Sequence, residues 1–241
     1  MFRTIIKIIA WDAVNPTLLR ILSRKIYEWR SEWQGVNLGC GLDVLDDWVG
    51  IDGGIYVLFK KMPSIVLHLA FRSLNMSDIY TYAEFSRKLK DSNLIYHDLS
   101  HGIPFLSNVC PNIYSSHFLE HLSRQEAENL ICECFRVLQP EGRVRLAVPS
   151  LEYEIRNMRI ALNQYEKGNS QPVMEYLKSR PGYTNRYSVH RYMYDYNELG
   201  SLLSSVGFVD IEQSSYKTGK MKYCEKLDTR ENSLFVEARK I

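Results

Sequence analysis

The sequence predicts an α/β fold, a three-layer sandwich built on a mostly parallel seven-stranded sheet. The first observation behind this is an alternation of short apolar runs of strand length with segments of helical spacing, closed by a late pair of strand-like runs. The second is the stretch from Val36 to Asp52, VNLGCGLDVLDDWVGID, in which two apolar runs flank Gly39-Cys40-Gly41 and the second ends in an acid, Asp52. Strand, glycine turn, strand and terminal carboxylate make a simple nucleotide cradle. The glycines let the backbone turn tightly and approach a ligand, and the carboxylate can accept hydrogen bonds from ribose hydroxyls.

The elements follow in order. Past Pro16, Leu18, Leu19, Leu22, Ile26 and Trp29 recur at helical spacing, so residues 1–33 read as a helical arm. Val36-Asn37-Leu38 is the first strand and Trp48-Val49-Gly50-Ile51 the second. Only six residues separate Gly41 from Trp48, too few for an ordinary helical crossover, so the first helix is expected to shrink to a turn or so. Residues 55–90 form a helical insertion broken by Pro63, with Ser77-Asp78 expected to cap a helix running to about Leu89. Asn93–Asp98 reads as the third strand and Ile113–His117 as the fourth. Ser123 and Glu126 form a capping-box pattern for a helix that carries Leu130, Ile131, Cys134, Phe135 and Leu138 and stops at Pro140-Glu141-Gly142. Arg143–Val148 alternates into a fifth strand, with Val144, Leu146 and Val148 on one face and Pro149 as its end. Residues 151–194 form a second insertion, helical in pieces and broken around Gly168–Pro172. Asp195 opens a helix with Leu199, Leu202, Leu203 and Val206, followed by strands Val209–Gln213 and Ser233–Ala238. No domain boundary stands out, so 1–241 is expected to be a single domain.

Composition narrows the function classes. At 241 residues, 45% hydrophobic and 24% charged, the chain has the make-up of a soluble globular protein that can bury a proper core. A net charge of +2 gives no push toward nucleic acid or an anionic membrane. Five cysteines without a C-x-x-C pair exclude a zinc ribbon and fit reduced thiols in the cytoplasm, the expected compartment. The opening MFRTIIKIIA is not expected to be a secretion signal, because its apolar run is short, broken by Lys7 and followed by Asp12. No stretch has the length of a membrane span. The basic, apolar arm is expected to cover the domain edge, with peripheral contact to a membrane surface as the alternative.

The cradle does not fit two common nucleotides. The dinucleotide fingerprint wants a third glycine where Val44 stands and an acid much later than Asp52, and the Gly-Lys-Ser/Thr ending of a phosphate loop is absent. Instead, N-L-G-C-G followed by W-V-G-I-D resembles motif I of class I S-adenosylmethionine-dependent methyltransferases. Two further stretches strengthen the resemblance. Tyr114-Ser115-Ser116-His117-Phe118-Leu119-Glu120-His121-Leu122, with Phe135-Arg136-Val137-Leu138-Gln139-Pro140-Glu141-Gly142 downstream, is similar to that family's strand, H-x-L-E-H and R-V-L-x-P-G-G pattern. The end of the chain, with Asp195–Leu199, Val206-Gly207-Phe208, Asp228, Arg230 and Ser233–Ala238, resembles a type-11-like subgroup associated with bacterial surface-polysaccharide synthesis. Departures are Glu141 in place of a glycine and Asn112 where the family usually has an acid.

The resemblance implies a Rossmann-like methyltransferase fold whose last two strands form an antiparallel pair, and S-adenosylmethionine as cofactor. Residue by residue it implies that Gly39, Cys40 and Gly41 approach the methionine part, Asp52 holds the ribose, Asp98 and the Leu99 backbone flank adenine, and Ser116 and His117 line the methionine end. The expected acceptor is an oxygen of a small molecule, saccharide or glycolipid precursor. Its pocket is expected from the stretch between Glu175 and Asp195, which has no acid but several cations and tyrosines. Arg186, His190, Arg191 and Tyr192 are the candidate binding residues, and His117 and His190 the candidate bases. No metal is expected. His117 and His121 are four apart, but H-F-L-E-H lacks the H-E-x-x-H order and spacing shows no third ligand. The rival readings are a cofactor-binding protein without turnover, and a nucleic-acid methyltransferase, whose D/N-P-P-Y/F motif is replaced by Ser115-Ser116-His117-Phe118. A nicotinamide dehydrogenase is disfavoured by Val44.

Overall fold

Short apolar runs bounded by glycine and acidic residues become three parallel strands: β1 (Gly35–Leu38), β2 (Trp48–Asp52) and β3 (Leu94–Tyr96). In this computed structural model, which describes residues 25–178 and 190–241, Leu38 pairs with Ile51 and Ile51 with Ile95, so the three strands end together. They lie in a seven-stranded sheet of order β3-β2-β1-β4-β5-β7-β6, completed by β4 (Cys110–Ser116), β5 (Leu138–Pro149), β6 (Val209–Ser214) and β7 (Ser233–Arg239). β7 runs antiparallel to both β5 and β6. The predicted α/β sheet with its late antiparallel pair is the one observed, and the strand order reverses between β1 and β4. The chain divides into two compact units, one made of residues up to Ile113 with Arg136–Gln139, the other of Tyr114–Phe135 with Pro140–Ile241.

In the first unit, the link from β1 to β2 contains turns and no helix, as the short spacing required. A 3-10 turn (Ile55–Lys61), α1 (Ser64–Ser73) and α2 (Tyr82–Asp91) make up the insertion, and Pro63 breaks it by standing as the N-cap of α1. Leu42, Val57, Leu67, Phe71, Phe85, Leu89 and Leu94 form one buried cluster beside the strands. Ser77-Asp78 does not cap the long helix. Those residues belong to a separate 3-10 turn, and Thr81 caps α2: its hydroxyl accepts from the Glu84 N–H at 3.3 Å, and the Glu84 carboxylate accepts from the Thr81 N–H at 2.9 Å. The reciprocal bond is what a lone Ser-Asp pair lacks. β3 is shorter than expected, because Asp98 leaves the strand to cap a 3-10 turn, Leu99–His101. Asn112 explains its own departure from an acid: its amide donates to the Gln34 carbonyl at 2.9 Å, which a carboxylate could not do.

In the second unit, α3 (Arg124–Val137, whose last two residues fall in the first unit) begins as predicted, with the Ser123 N–H donating to Glu126 at 2.7 Å. Its end differs. The helix stops at Val137 and β5 starts at once, so Pro140-Glu141-Gly142 is strand rather than a turn. The reason is pairing beyond β7: the Glu141 N–H donates to the Lys240 carbonyl and the Lys240 N–H to the Gly142 carbonyl, each at 3.0 Å. β5 is also buried on both faces rather than one, since Arg145 is fully buried among Asp228, Glu237 and Ser214. α4 (Leu151–Glu166) and α5 (Gln171–Lys178) are separated at Gly168, whose φ of 87° a side chain would resist. α6 (Tyr196–Val206) starts on the Asp195 side-chain cap and is followed, before β7, by a short α7 (Cys224–Leu227). Among the described residues no helix is long and apolar enough to cross a membrane. Residues 1–24 of the expected N-terminal arm lie outside the described residues.

Candidate functional site

The glycine turn is set by backbone geometry. Gly39 and Gly41 have φ of 62° and 58°, a region costly for any other residue. The Gly39 N–H donates to the Ile51 carbonyl at 2.9 Å, which ties the turn to the end of β2. There Asp52 accepts three hydrogen bonds: from the Gly41 N–H at 2.8 Å on one oxygen, and from the Gly54 N–H and the Tyr56 hydroxyl, both at 2.7 Å, on the other. Burial, and then the Asp52 charge, push the Tyr56 hydroxyl far above its usual pKa, so it stays a donor. The same two causes push the Cys40 thiol up, so Cys40 is an inert neighbour rather than a nucleophile. Asp98 lies beside this turn, its backbone near Gly53, with its carboxylate accepting from the Ser100 N–H at 3.0 Å. Leu99 is the first residue of that 3-10 turn. Sequence reasoning thus found Gly39, Cys40, Gly41, Asp52, Asp98 and Leu99 in one neighbourhood and missed Tyr56, whose only signal is a phenol four residues after the acid.

These residues fit a nucleoside with a ribose. A side chain at Gly41 would meet nothing closer than the Tyr56 hydroxyl at 4.0 Å, so the turn is open above its backbone. Asp52 keeps acceptor capacity on the oxygen bonded to Gly41, and Tyr56 occupies its other oxygen with a hydroxyl of the kind a sugar would bring.

The second unit holds a different cluster. Ser116, half-buried, ends β4. His117 then takes φ 51°, with its N–H on the Ala147 carbonyl at 2.8 Å. This left-handed residue turns the chain into a 3-10 turn, Leu119–His121. The His117 Nε2 stands 2.8 Å from the Ser233 hydroxyl and its Nδ1 3.3 Å from the Glu120 carboxylate. Glu120 is fully buried, and its carbonyl accepts from the N–H groups of Arg191 and Tyr192 at 2.8 and 3.2 Å, which pins the chain after His190 against the turn. Nε2 of His190 and of His121 lie 3.8 and 3.9 Å from the same Glu120 oxygen.

A cavity of about 390 Å³ opens beside this cluster, lined by His117, Tyr153, Glu154, His190, Arg230 and Ser233 among others. Of the expected acceptor residues that are described, only His190 lines it. Arg191 is exposed and pairs with Glu126 at 3.3 Å, while the Tyr192 hydroxyl is taken by Glu198 and its ring by Arg124. Arg186 lies outside the described residues, as do Arg180, Tyr183 and Tyr187. Tyr153, Glu154 and Arg230 were missed as site residues, because nothing in local spacing joins the start of α4 to the loop before β7.

Residues 68–146 match the family model of a methyltransferase domain. That domain is the one of methyl-transferring enzymes. The matched segment covers about a third of the chain, from inside α1 into β5. No curated protein sequence matches. Among solved structures, the chain is similar to an S-adenosylmethionine-dependent methyltransferase from Archaeoglobus fulgidus (12% identity, 99% of this chain and 94% of that one, TM-score 0.46). It is also similar to a possible histamine N-methyltransferase from Thermotoga maritima (14%, 88% and 84%, TM-score 0.46) and to a methyltransferase from Methanosarcina mazei (15%, 95% and 98%, TM-score 0.44). At such scores the likeness adds nothing to what the sheet itself displays.

Proposed function

We propose that the protein methylates a hydroxyl oxygen of a saccharide or glycolipid precursor, as in the making of a surface polysaccharide, on the cytoplasmic side of the membrane. When bound, S-adenosylmethionine supplies the methyl group from its sulfonium. Gly39, Cys40 and Gly41 hold its methionine part by their backbone, Asp52 accepts from its ribose hydroxyls, and Asp98 and Leu99 flank its adenine. Ser116 and His117 line the methionine end.

The observation that carries the oxygen acceptor is the hydroxyl already at His117. On the cavity wall Ser233 Oγ lies 2.8 Å from Nε2, within the reach a general base needs, and Glu120 lies behind Nδ1. In this structure the Ser233 hydroxyl donates its one proton to the Arg230 carbonyl at 2.9 Å and so accepts from Nε2–H; when an acceptor hydroxyl replaces Ser233, the Nδ1–H tautomer leaves the Nε2 lone pair to take its proton. Glu120 then stabilises the imidazolium. In-line displacement asks little else of the protein beyond alignment. A sugar suits the remaining walls: the Tyr153 ring can pack on its apolar face, and Glu154 and Arg230 can bond its hydroxyls or a phosphate. His190 is the second candidate base.

The test has two parts. S-adenosylhomocysteine is expected to raise the melting temperature while NAD does not. With a glycan extract that accepts methyl groups, His117→Ala is expected to lower transfer by about ten-fold or more with cofactor affinity intact. Equal stabilisation by both nucleotides sinks the cofactor site. Binding without transfer to any extract supports a cofactor-binding protein without turnover, and transfer to RNA or DNA alone overturns the saccharide.

A further inference from the structure

We infer that Glu120, His121 and His190 form a binding site for a divalent transition-metal ion, of the two-histidine, one-carboxylate kind. Their ligand atoms all lie within 4.8 Å of one another. Glu120 is the decisive residue. It is 0% exposed, and neither of its carboxylate oxygens has a hydrogen-bond partner among the described residues. A buried carboxylate left without donors costs several kcal/mol in principle and is held in proteins by a cation or a metal.

The geometry around that carboxylate is the geometry of ligands about an ion. Nε2 of His190 and Nε2 of His121 stand 3.8 and 3.9 Å from Glu120 Oε1. Ligands bound to zinc at about 2.0–2.1 Å in a tetrahedron are separated by about 3.3 Å, so the two nitrogen-to-oxygen distances must shorten by about half an ångström to close on an ion, and the widest separation, within 4.8 Å, by up to about 1.5 Å. The distances are too long for hydrogen bonds. The third ligand comes from far along the chain, brought in by the Arg191 and Tyr192 N–H bonds to the Glu120 carbonyl. The chain therefore needs no H-E-x-x-H order.

The surrounding residues complete the site. His117 Nδ1 also lies 3.3 Å from the same oxygen, outside the ligand set and without forming a hydrogen bond to it. The His190 and His121 side chains are 22% and 32% exposed, so neither imidazole is sealed from solvent. Two imidazoles and one carboxylate suit zinc, and also ferrous iron or manganese. One carboxylate leaves the ion a net positive charge, suited to an oxygen as its next ligand. With His190 acting as a ligand, His117 is left as the base.

The test uses the full chain without an affinity tag, stripped with a chelator and titrated calorimetrically with zinc, then with cobalt for its visible absorption. One ion per chain is expected. His121→Ala, His190→Ala and Glu120→Gln are each expected to weaken binding more than about ten-fold, while His68→Ala, on α1, leaves it unchanged. Wild-type protein that takes up no stoichiometric ion overturns the proposal, as does binding that survives the histidine variants. Should Glu120→Gln fail to fold, the wild-type titration and the two partly exposed histidines decide. These readouts need no S-adenosylmethionine, so they can fail while the methyltransferase reading stands, and the reverse.

Discussion

Tyr56 donates to the Asp52 oxygen that a ribose hydroxyl would also seek, and this sets opposite expectations for the two variants. Asp52→Ala strands the Gly41 and Gly54 N–H groups and removes the ribose acceptor, so S-adenosylhomocysteine binding is expected to weaken by about 1–3 kcal/mol without unfolding. Tyr56→Phe frees the oxygen that a ribose hydroxyl would otherwise have to win, and is expected to tighten binding by up to about 1 kcal/mol, the net worth of one hydrogen bond. Calorimetry on the two variants separates the cases, and weaker binding in Tyr56→Phe would mean that the phenol belongs to the site rather than blocking it. The glycines and the acid were legible in the sequence because their chemistry is local: a positive φ and a strand end. His190 was legible as a residue but not in its setting. Its neighbour Glu120 is far off in sequence, and only the folded chain shows that the charged Arg191 and aromatic Tyr192 beside it are occupied by Glu126, Glu198 and Arg124.

At the scale of elements, most strands and helices were readable to within a few residues, and the errors have one cause: pairing that local propensity does not display. Thr81 and Ser77 offer similar caps, and the Glu84 return bond decides for Thr81. Thr81→Ala is expected to cost about 1 kcal/mol in chemical denaturation. The alternation in β5 puts Val144, Leu146 and Val148 on one face and leaves the burial of Arg145 on the other unannounced. Here Arg145 meets Asp228 at 3.0 Å through Nε and also reaches Glu237, and all three are buried. Burial alone would lower the guanidinium pKa, but its bonds to Asp228 and Glu237 outweigh that and raise it. A side chain at Gly219 would come within 2.0 Å of the Glu237 carboxylate and 2.6 Å of the guanidinium, so the loop after β6 closes over the network only with glycine. Arg145→Met leaves two carboxylates buried without their cation and is expected to cost about 3–5 kcal/mol, read as a lower denaturation midpoint. An unchanged midpoint would mean that Asp228 and Glu237 find other donors.

Across the whole molecule, the alternation of strand and helix foretold the α/β sheet and its late antiparallel pair, because strand ends and helix caps are written in adjacent residues. The cavity and the Glu120 cluster were not foretold. Residues 117–121, the start of α4, His190 and the loop before β7 build them, and no spacing rule links such distant segments. Burial of tyrosines is another property that belongs to the fold alone, and it has a pH signature. Burial pushes Tyr80 and Tyr194 up to about 12, and raises Tyr56 and Tyr114 as well. In the unfolded chain these phenols ionise near about 10. Above that pH the unfolded state sheds protons that the folded state keeps, so the unfolded form gains and stability falls. The contribution is fully present below the unfolded value and is lost as pH rises toward the folded one. The melting temperature is therefore expected to drop steadily above about pH 10, with part of the tyrosinate absorbance appearing only on unfolding. Tyr194 gives the sharpest check, since it is 1% exposed and its hydroxyl has no hydrogen-bond partner among the described residues. Tyr194→Phe is expected to keep or raise stability at neutral pH and to make the alkaline decline shallower. A variant that loses stability at neutral pH and declines as steeply as wild type would overturn this assignment of the alkaline decline to Tyr194.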